Sequence, residues 1–354
     1  MKALVLHAVG DLRYEEAPTP EPGAGEVLVR VAYCGVCGSD IPRIFAKGTY
    51  RFPLICGHEF AGVVEQCGEG VTQFAPGVRV TVFPLMWCGR CSACEKGRYV
   101  QCEAYDYLGS RRDGAFAEYV VAPARNLLRV PEGVSLQEAA MTEPASVALH
   151  ALRRAGGCQP GETVAIFGAG PIGLMVAQWA RTMGASHIAL FDVVDEKLAL
   201  ARELGFGHAY HSAREQPETT IDALTGGQGA QVCVEAAGVP QTFLDALRCA
   251  RRGGRVVLLG NPSANVAVPA SLLSQLMRRE VNLHGTWNSA YNVHSEDDDW
   301  HVALQAMASG QLNLRPLVTH RVPLSRAIDT LNAMHERKGF FCKVLIHPDG
   351  QEED

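Results

Sequence analysis

Between Thr163 and Gly184 the chain reads TVAIFGAGPIGLMVAQWARTMG: an apolar run, three glycines spaced GxGxxG, and then a helical pattern. Few folds accept that order. A short run without charge suits a strand buried on both faces, and the helix after it must carry the chain across to a second, parallel strand. Gly168 permits the tight turn, Gly170 lets the backbone approach a pyrophosphate, and Gly173 lets the helix pack close to the strand. Pro171 and Ile172 open the helix, whose free N–H groups and positive end suit the phosphates of a dinucleotide. About twenty residues further on, Asp192 closes the next strand. Its carboxylate can accept from both ribose hydroxyls and would repel the extra phosphate of NADP, while Lys197 reaches toward the same ribose. NAD is the expected cofactor.

Strand and helix keep alternating through HIALFD, DEKLALARELG, QVCVEAAG, PQTFLDALRCARRGG, RVVLLG and VNLHGTW. That rhythm implies right-handed crossovers and a parallel sheet. In the first helix Ile172, Val176, Trp179 and Met183 fall on one face and Gly184 supplies the stop. Leu198, Ala201 and Leu204 do the same in the second, which Gly205 ends.

The first 150 residues read differently. Short alternating runs such as EVLVRVAY, AGVVEQ and FAEYVVAP lie between Gly and Pro, the mark of strands in a mixed or barrel-like sheet. Helix begins near Ser135, where Glu138 completes a capping box, and Pro144 is expected to end or kink that helix near Thr142. After Trp287 the pattern is irregular and ends in an apolar strand, FCKVLIHP. This tail is too short for a domain and is expected to return to the first half. The division is therefore 1–150 with 288–354, and 151–287.

Cysteine placement carries the chemistry. Cys88, Cys91, Cys94 and Cys102 stand at C-x2-C-x2-C-x7-C, and four thiolates close a tetrahedron around a structural zinc. A similar spacing serves iron–sulfur clusters, but nothing else here suggests electron transfer. In AYCGVCGSD, the spacing of Cys34 and Cys37 fits a redox pair, half of a zinc knot, or a ligand beside a bystander. Other candidates for an open, catalytic metal site are scattered: His58 and Glu59 in CGHEFAG, and Glu143 in TEPA. The HExxH of a hydrolytic zinc helix is absent. Ser39 can pass a proton outward, and Asp40 can orient a ligating histidine.

A net charge of -6 offers no basic face for nucleic acid. No run approaches the roughly 20 apolar residues of a membrane span, and no signal-peptide core forms before Asp11 and Arg13. The expected setting is the cytoplasm, where twelve cysteines serve as thiols and metal ligands rather than disulfides.

Taken together, CGSD, GHEFAGVV, the four-cysteine lobe, DGAFAEY, EPASVALHA and GAGPIG resemble the zinc-dependent medium-chain alcohol dehydrogenases over essentially the whole chain. The resemblance implies an α/β protein: a GroES-like β-rich catalytic domain, completed by the tail, plus a Rossmann doubly wound parallel sheet. It implies two zinc ions per chain. Cys37, His58 and Glu143 would hold the catalytic one, with Glu59 an alternative, and the four clustered cysteines the structural one. Cys34 becomes a packed bystander and Ser39 the proton relay; Gly168, Gly170, Gly173, Asp192 and Lys197 hold NAD.

Within this family SDIPRIFAKGTYRFP, YDYLGSRRDGAFAEY, AAGVPQT and HGTWNSAY resemble the enzymes that oxidise galactitol 1-phosphate to tagatose 6-phosphate. Pro42 stands where threonine and sorbitol dehydrogenases usually carry a histidine, so a longer relay is interrupted. Arg43 and Arg112, and beside them Lys47, Arg51 and Arg111, are candidates to bind a substrate phosphate. A homodimer or homotetramer is implied. The competing readings are a dehydrogenase of an unphosphorylated polyol such as sorbitol or xylitol, a threonine-dehydrogenase-like enzyme, and a non-catalytic NAD-binding zinc protein.

Overall fold

The computed structural model describes residues 1–350 and divides into two compact units. One comprises Met1–Glu143, Ala290–Gly310 and Leu314–Asp354, the other Pro144–Ser289 with Gln311–Asn313. Among the described residues no helix is long and apolar enough to cross a membrane.

The second unit is a six-stranded sheet, parallel at every pairing, in the order Ala209–His211, His187–Asp192, Thr163–Phe167, Ala230–Glu235, Ala250–Leu258, Asn282–Gly285. The strand order reverses direction beside Thr163–Phe167, so this strand, which leads into the three glycines, lies at the topological switch point. Its residues are all buried, as an apolar run flanked by strands on both sides requires. The following helix, Pro171–Thr182, departs from the single apolar face read in the sequence. Every residue from Gly173 to Ala180 is buried, whereas Ile172 and Met183 are only partly so. Gln178 belongs to that buried run because its side chain exchanges hydrogen bonds with the backbone of Asn313, at 3.0 and 2.8 Å. Those bonds fasten Gln311–Asn313 to this unit, although the flanking tail belongs to the other.

The first unit is β-rich. A seven-stranded sheet is built around Glu26–Gly35, which pairs antiparallel with Glu59–Cys67, with Tyr119–Pro123 and with the last strand, Lys343–His347. The tail thus returns to the first half by inserting a strand. A smaller sheet joins Lys2–Ala8 to Asp11–Glu16 and Leu54–Ile55. The two sheets share one apolar core that includes Leu4, Val29, Phe60, Val82, Phe116 and Ile346.

Ser135 and Glu138 form the capping box. The chain breaks after Ala139 and restarts as Thr142–Arg154, with Pro144 in the first turn, where an absent N–H costs nothing. Because that second helix runs on past Pro144, the boundary between units falls within it, seven residues before the boundary read from composition. A further helical turn, Asp40–Pro42 continuing into Arg43–Lys47, starts at the last residue of CGSD.

The glycines of GAGPIG act differently from one another. Gly168 has φ +111°, which side chains rarely adopt; a Cβ on Gly173 would lie 1.8 Å from the Gly168 carbonyl oxygen; and a Cβ on Gly170 would meet nothing within 4 Å. Close packing is thus required at Gly173, while open space remains at Gly170. Gly173→Ala should push the helix off its strand and cost about 1–3 kcal/mol, read as a lower urea midpoint with weaker NAD binding in a titration.

Candidate active site and cysteine lobe

The strand Glu26–Gly35 runs into Val36 and Cys37, and its partner strand begins at Glu59, directly opposite Gly35. That register brings the two motifs together. One ligand atom each from Cys37, His58 and Glu59 lie within 4.8 Å of one another. Gly35 is what allows it, since a Cβ there would sit 2.4 Å from Glu59 Oε2.

Asp40, fully buried, organises this corner. One of its oxygens accepts from the Cys37 backbone N–H at 3.0 Å, and the other accepts from the Arg43 guanidinium and lies 3.6 Å from His58 Nδ1. His58 Nδ1 is buried and makes no hydrogen bond among the described residues. With that nitrogen turned toward Asp40, the opposite ring nitrogen is left for another partner. Ser39, exposed at the mouth, donates from Oγ to the Cys37 sulfur at 3.3 Å. Burial, then Glu59, Asp40 and Glu143, push the Cys37 thiol well above its ordinary value. A thiol ringed by carboxylates ionises readily only when a cation joins it, and a half-buried Cys beside a buried His and Glu is a donor set suited to zinc.

Glu143 lies outside that trio but within its field. Burial raises its carboxyl to about 7, His58 opposes the shift and Glu59 adds to it. The Tyr107 hydroxyl donates to Glu143 Oε1 at 3.4 Å, and the Tyr107 ring stands edge-on to His58 at 5.8 Å.

Reading the sequence passed over Lys343. It is buried in the last strand, pairs with the Glu59 carboxylate, and donates to the Val36 carbonyl at 3.2 Å. Burial alone would lower its pKa, but Glu59, Cys37 and Glu143 outweigh that and hold it above the usual lysine value. The available signal was one lysine inside the otherwise apolar run FCKVLI: a charge in a strand buried on both faces needs a buried partner.

Cys34 is buried, its thiol turned to the Gly35 carbonyl, and it takes no part in the trio. The candidate phosphate ligands are mostly committed elsewhere. Arg43 is held by Asp40, Arg51 pairs with Asp113 at 2.9 Å, and Arg112 faces Glu26 at 3.5 Å and Asp106 at 3.9 Å. Arg43, one of the two leading candidates, thus pairs with the carboxylate behind His58.

The sulfurs of Cys88, Cys91, Cys94 and Cys102 also lie within 4.8 Å of one another, and none is in a disulfide. Cys94 is 3.4 Å from Cys91 and 3.9 Å from Cys88, and the Cys88 N–H donates to the Cys102 sulfur. Backbone N–H groups bring the Cys91 thiol down to about 6, while burial raises Cys94 to about 12. Four such sulfurs suit a closed tetrahedral metal. The lobe is seated by Trp87, which stacks on Tyr99 at 4.1 Å and lies beneath Arg125 at 4.2 Å.

In the other unit, Asp192 receives the N–H groups of Ala169, Val193 and Val194 at 2.8, 2.8 and 3.1 Å, and Lys197 Nζ at 3.2 Å. Its charge is thereby fixed beside the glycine turn.

Residues 23–132 match the alcohol dehydrogenase GroES-like domain, and residues 171–309 match the zinc-binding dehydrogenases. The chain is 36% identical over 322 residues to galactitol 1-phosphate 5-dehydrogenase of Escherichia coli, covering 91% of this chain and 92% of that one. The crystal structure of galactitol-1-phosphate dehydrogenase from E. coli superposes with a TM-score of 0.92 at 34% identity, over 98% of this chain and 100% of the other. Sorbitol dehydrogenase of Bacillus subtilis is 33% identical over 354 residues, 98% of this chain and 97% of its own. A Sinorhizobium meliloti protein described as a zinc-binding dehydrogenase, bound to NADP, gives a TM-score of 0.89 at 31% identity, over 98% and 99% of the two chains.

Lys343→Met would leave the Glu59 carboxylate buried without its counter-charge. We expect metal-free protein to lose about 3–5 kcal/mol in denaturant unfolding, with part of the loss recovered on adding zinc.

Proposed function

This chain belongs to the zinc-binding, GroES-like medium-chain alcohol and polyol dehydrogenases, and within that family we propose that it oxidises a secondary alcohol of a phosphorylated polyol, galactitol 1-phosphate to tagatose 6-phosphate, with NAD. The observation that carries the reading is the Cys37, His58 and Glu59 trio, with Cys37 half-buried and the other two buried, in a chain that also holds a strand–GAGPIG–helix unit ending at Asp192. The choice of substrate leans on 36% identity across 91% of the chain to the E. coli enzyme.

Cys37 and His58 would hold the catalytic zinc with a carboxylate. Glu59 is near enough, but its charge is already matched by Lys343. Thiolate Cys37 with Glu143 would instead balance a divalent cation, which favours Glu143 as third ligand and Glu59 as the alternative. Zinc, when bound, supplies a Lewis acid that stabilises negative charge developing on an alcohol oxygen. Ser39, the exposed hydroxyl next to Cys37, takes the alcohol proton and passes it to water or the cofactor ribose, since Pro42 offers no onward relay. Asp40, neutralised by Arg43, keeps the His58 ring oriented. NAD, when bound, would accept the carbinol hydrogen as hydride, and Ser39 would carry off the O–H proton, leaving a ketone. Cys88, Cys91, Cys94 and Cys102 would hold the structural zinc.

NAD rather than NADP is favoured by Asp192, whose fixed, buried charge opposes a phosphate on the ribose. A homodimer or homotetramer is supported by the open edge strand Asn282–Gly285, with exposed Leu283 on it and Leu273 and Met277 on the helix before it. A second reading, oxidation of a free polyol, has in its favour the 33% identity to sorbitol dehydrogenase and the pairing of Arg43 and Arg112 with carboxylates.

The deciding experiment is NADH formation by zinc-loaded enzyme with galactitol 1-phosphate, galactitol and sorbitol. Preference for the phosphate supports the reading; equal or better rates with a free polyol reject it in favour of the second. Cys37→Ala should abolish turnover while NAD binding survives, and retained activity would overturn the metal site. Asp192→Ala should narrow the preference for NAD over NADP by at least about tenfold in kcat/KM, the equivalent of ~1.4 kcal/mol.

A further inference from the structure

We propose that Arg111 is the residue that recognises the substrate phosphate, an inference that rests on the phosphorylated-polyol reading above and gives it a subsite. Of the five cations in this part of the sequence, Arg43, Arg51 and Arg112 each face a carboxylate. Arg111 and Lys47 face none among the described residues. Lys47 is an exposed single charge at the end of a helical turn. Arg111 is held in place.

Its guanidinium carbon lies 4.2 Å from the centroid of the Tyr50 ring and 4.4 Å from that of Tyr105. Stacking of this kind engages the planar face of the guanidinium and leaves its in-plane N–H donors available. None of those donors has a hydrogen-bond partner among the described residues. An immobilised, planar, doubly donating fork with no anion of its own suits bidentate binding of a phosphate, and little of its freedom remains to be lost on binding.

The backbone ties this arginine to the candidate active site. Its N–H donates to the Tyr107 carbonyl at 2.9 Å, and Arg51 donates to its carbonyl at 3.2 Å. The turn is docked on the residue before His58: a Cβ on Gly109 would fall 2.5 Å from the Gly57 carbonyl oxygen, and one on Gly114 would fall 2.0 Å from it. Gly114 N–H and Ala115 N–H close the contact on Ile55 and Gly57 at 2.8 and 2.9 Å. From Arg111 inward the path runs through Tyr105 to Tyr107, 6.4 Å between ring centroids, and from Tyr107 to His58 and Glu143. In a hexitol 1-phosphate oxidised at C5 the phosphate is several bonds from the reacting carbon. Its partner must stand back from the metal ligands, as Arg111 does behind the two tyrosines.

The test compares kcat/KM for galactitol 1-phosphate with that for galactitol, using zinc-loaded wild type, Arg111→Gln, Arg111→Lys and Tyr50→Ala. Arg111→Gln should lower the ratio about 10- to 100-fold, the scale of a lost charge-assisted pair, chiefly through KM for the phosphate. Zinc content and unfolding midpoint should stay at wild-type values. Arg111→Lys should fall between, because it keeps the charge and loses the fork, and Tyr50→Ala should lower the ratio without removing the charge. Inorganic phosphate, competing with galactitol, should inhibit wild type more strongly than either Arg111 variant. If wild type prefers the phosphate and both Arg111 variants keep that preference, Arg111 is overturned while the substrate reading stands. If wild type shows no preference, the substrate reading fails and the phosphate subsite fails with it.

Discussion

The Lys343–Glu59 pair is the interaction on which the first unit depends. The two residues are 284 positions apart and both almost fully buried. Such a pair contributes little net stability over an apolar core, yet either partner alone would be costly. It therefore works as a condition on topology. The last strand must lie beside Glu26–Gly35 in the observed register, with Val36 N–H on the Val344 carbonyl, or two charges are stranded in the core. The same condition holds Glu59 beside Cys37 and His58, so completing the sheet and bringing these three side chains together are one event. A tail too short to fold alone is thereby made necessary to the site.

Small residues set how closely the parts can approach. Gly35 faces Glu59, Gly57 is pressed by the Cys34 sulfur and Phe116, and Gly109 and Gly114 rest on Gly57. Each of these contacts would be shorter than 3 Å from an added Cβ. Together they stack three chain segments against the residue that precedes His58. Close packing of backbone at this point fixes the imidazole and the turn that carries Arg111 in one rigid frame, which is how a site reaches the precision that binding and catalysis need.

What could be read from the sequence follows from the range of the interactions. The glycine turn, the alternation of strand and helix, the capping box at Ser135 and the four-cysteine cluster are all written within stretches of about twenty residues, where spacing maps directly onto geometry. Cys37, His58 and Glu59 were legible as residue types, but only the pairing of Gly35 with Glu59 brings them together. Lys343 was missed because its partner lies at the other end of the chain. Arg43, read as a candidate for a substrate phosphate, has its guanidinium on Asp40, because the helical turn that begins at Asp40 brings residues three apart together. The helix Pro171–Thr182 was read as one-faced, since its pattern gives no sign that Gln178 would be buried against Asn313.

The placement of charge separates chemistry from recognition. Every ionisable group beside Cys37 has its complement: Glu59 has Lys343, and Asp40 has Arg43, with His58 Nδ1 3.6 Å from the same oxygen. Glu143 is the exception. It has no cation in an ion pair among the described residues, and burial holds its carboxyl near 7, so a divalent metal is the partner that would most lower its energy. Arg111 likewise faces no carboxylate among the described residues, and it lies over two rings with its donors unused. A folded chain seldom leaves a buried acid or an immobilised guanidinium unmatched without a ligand to complete it. A buried acid without a counter-charge and a guanidinium without an anion, joined through Tyr107 and Tyr105, would suit a substrate that meets a metal at one end and carries an anion at the other.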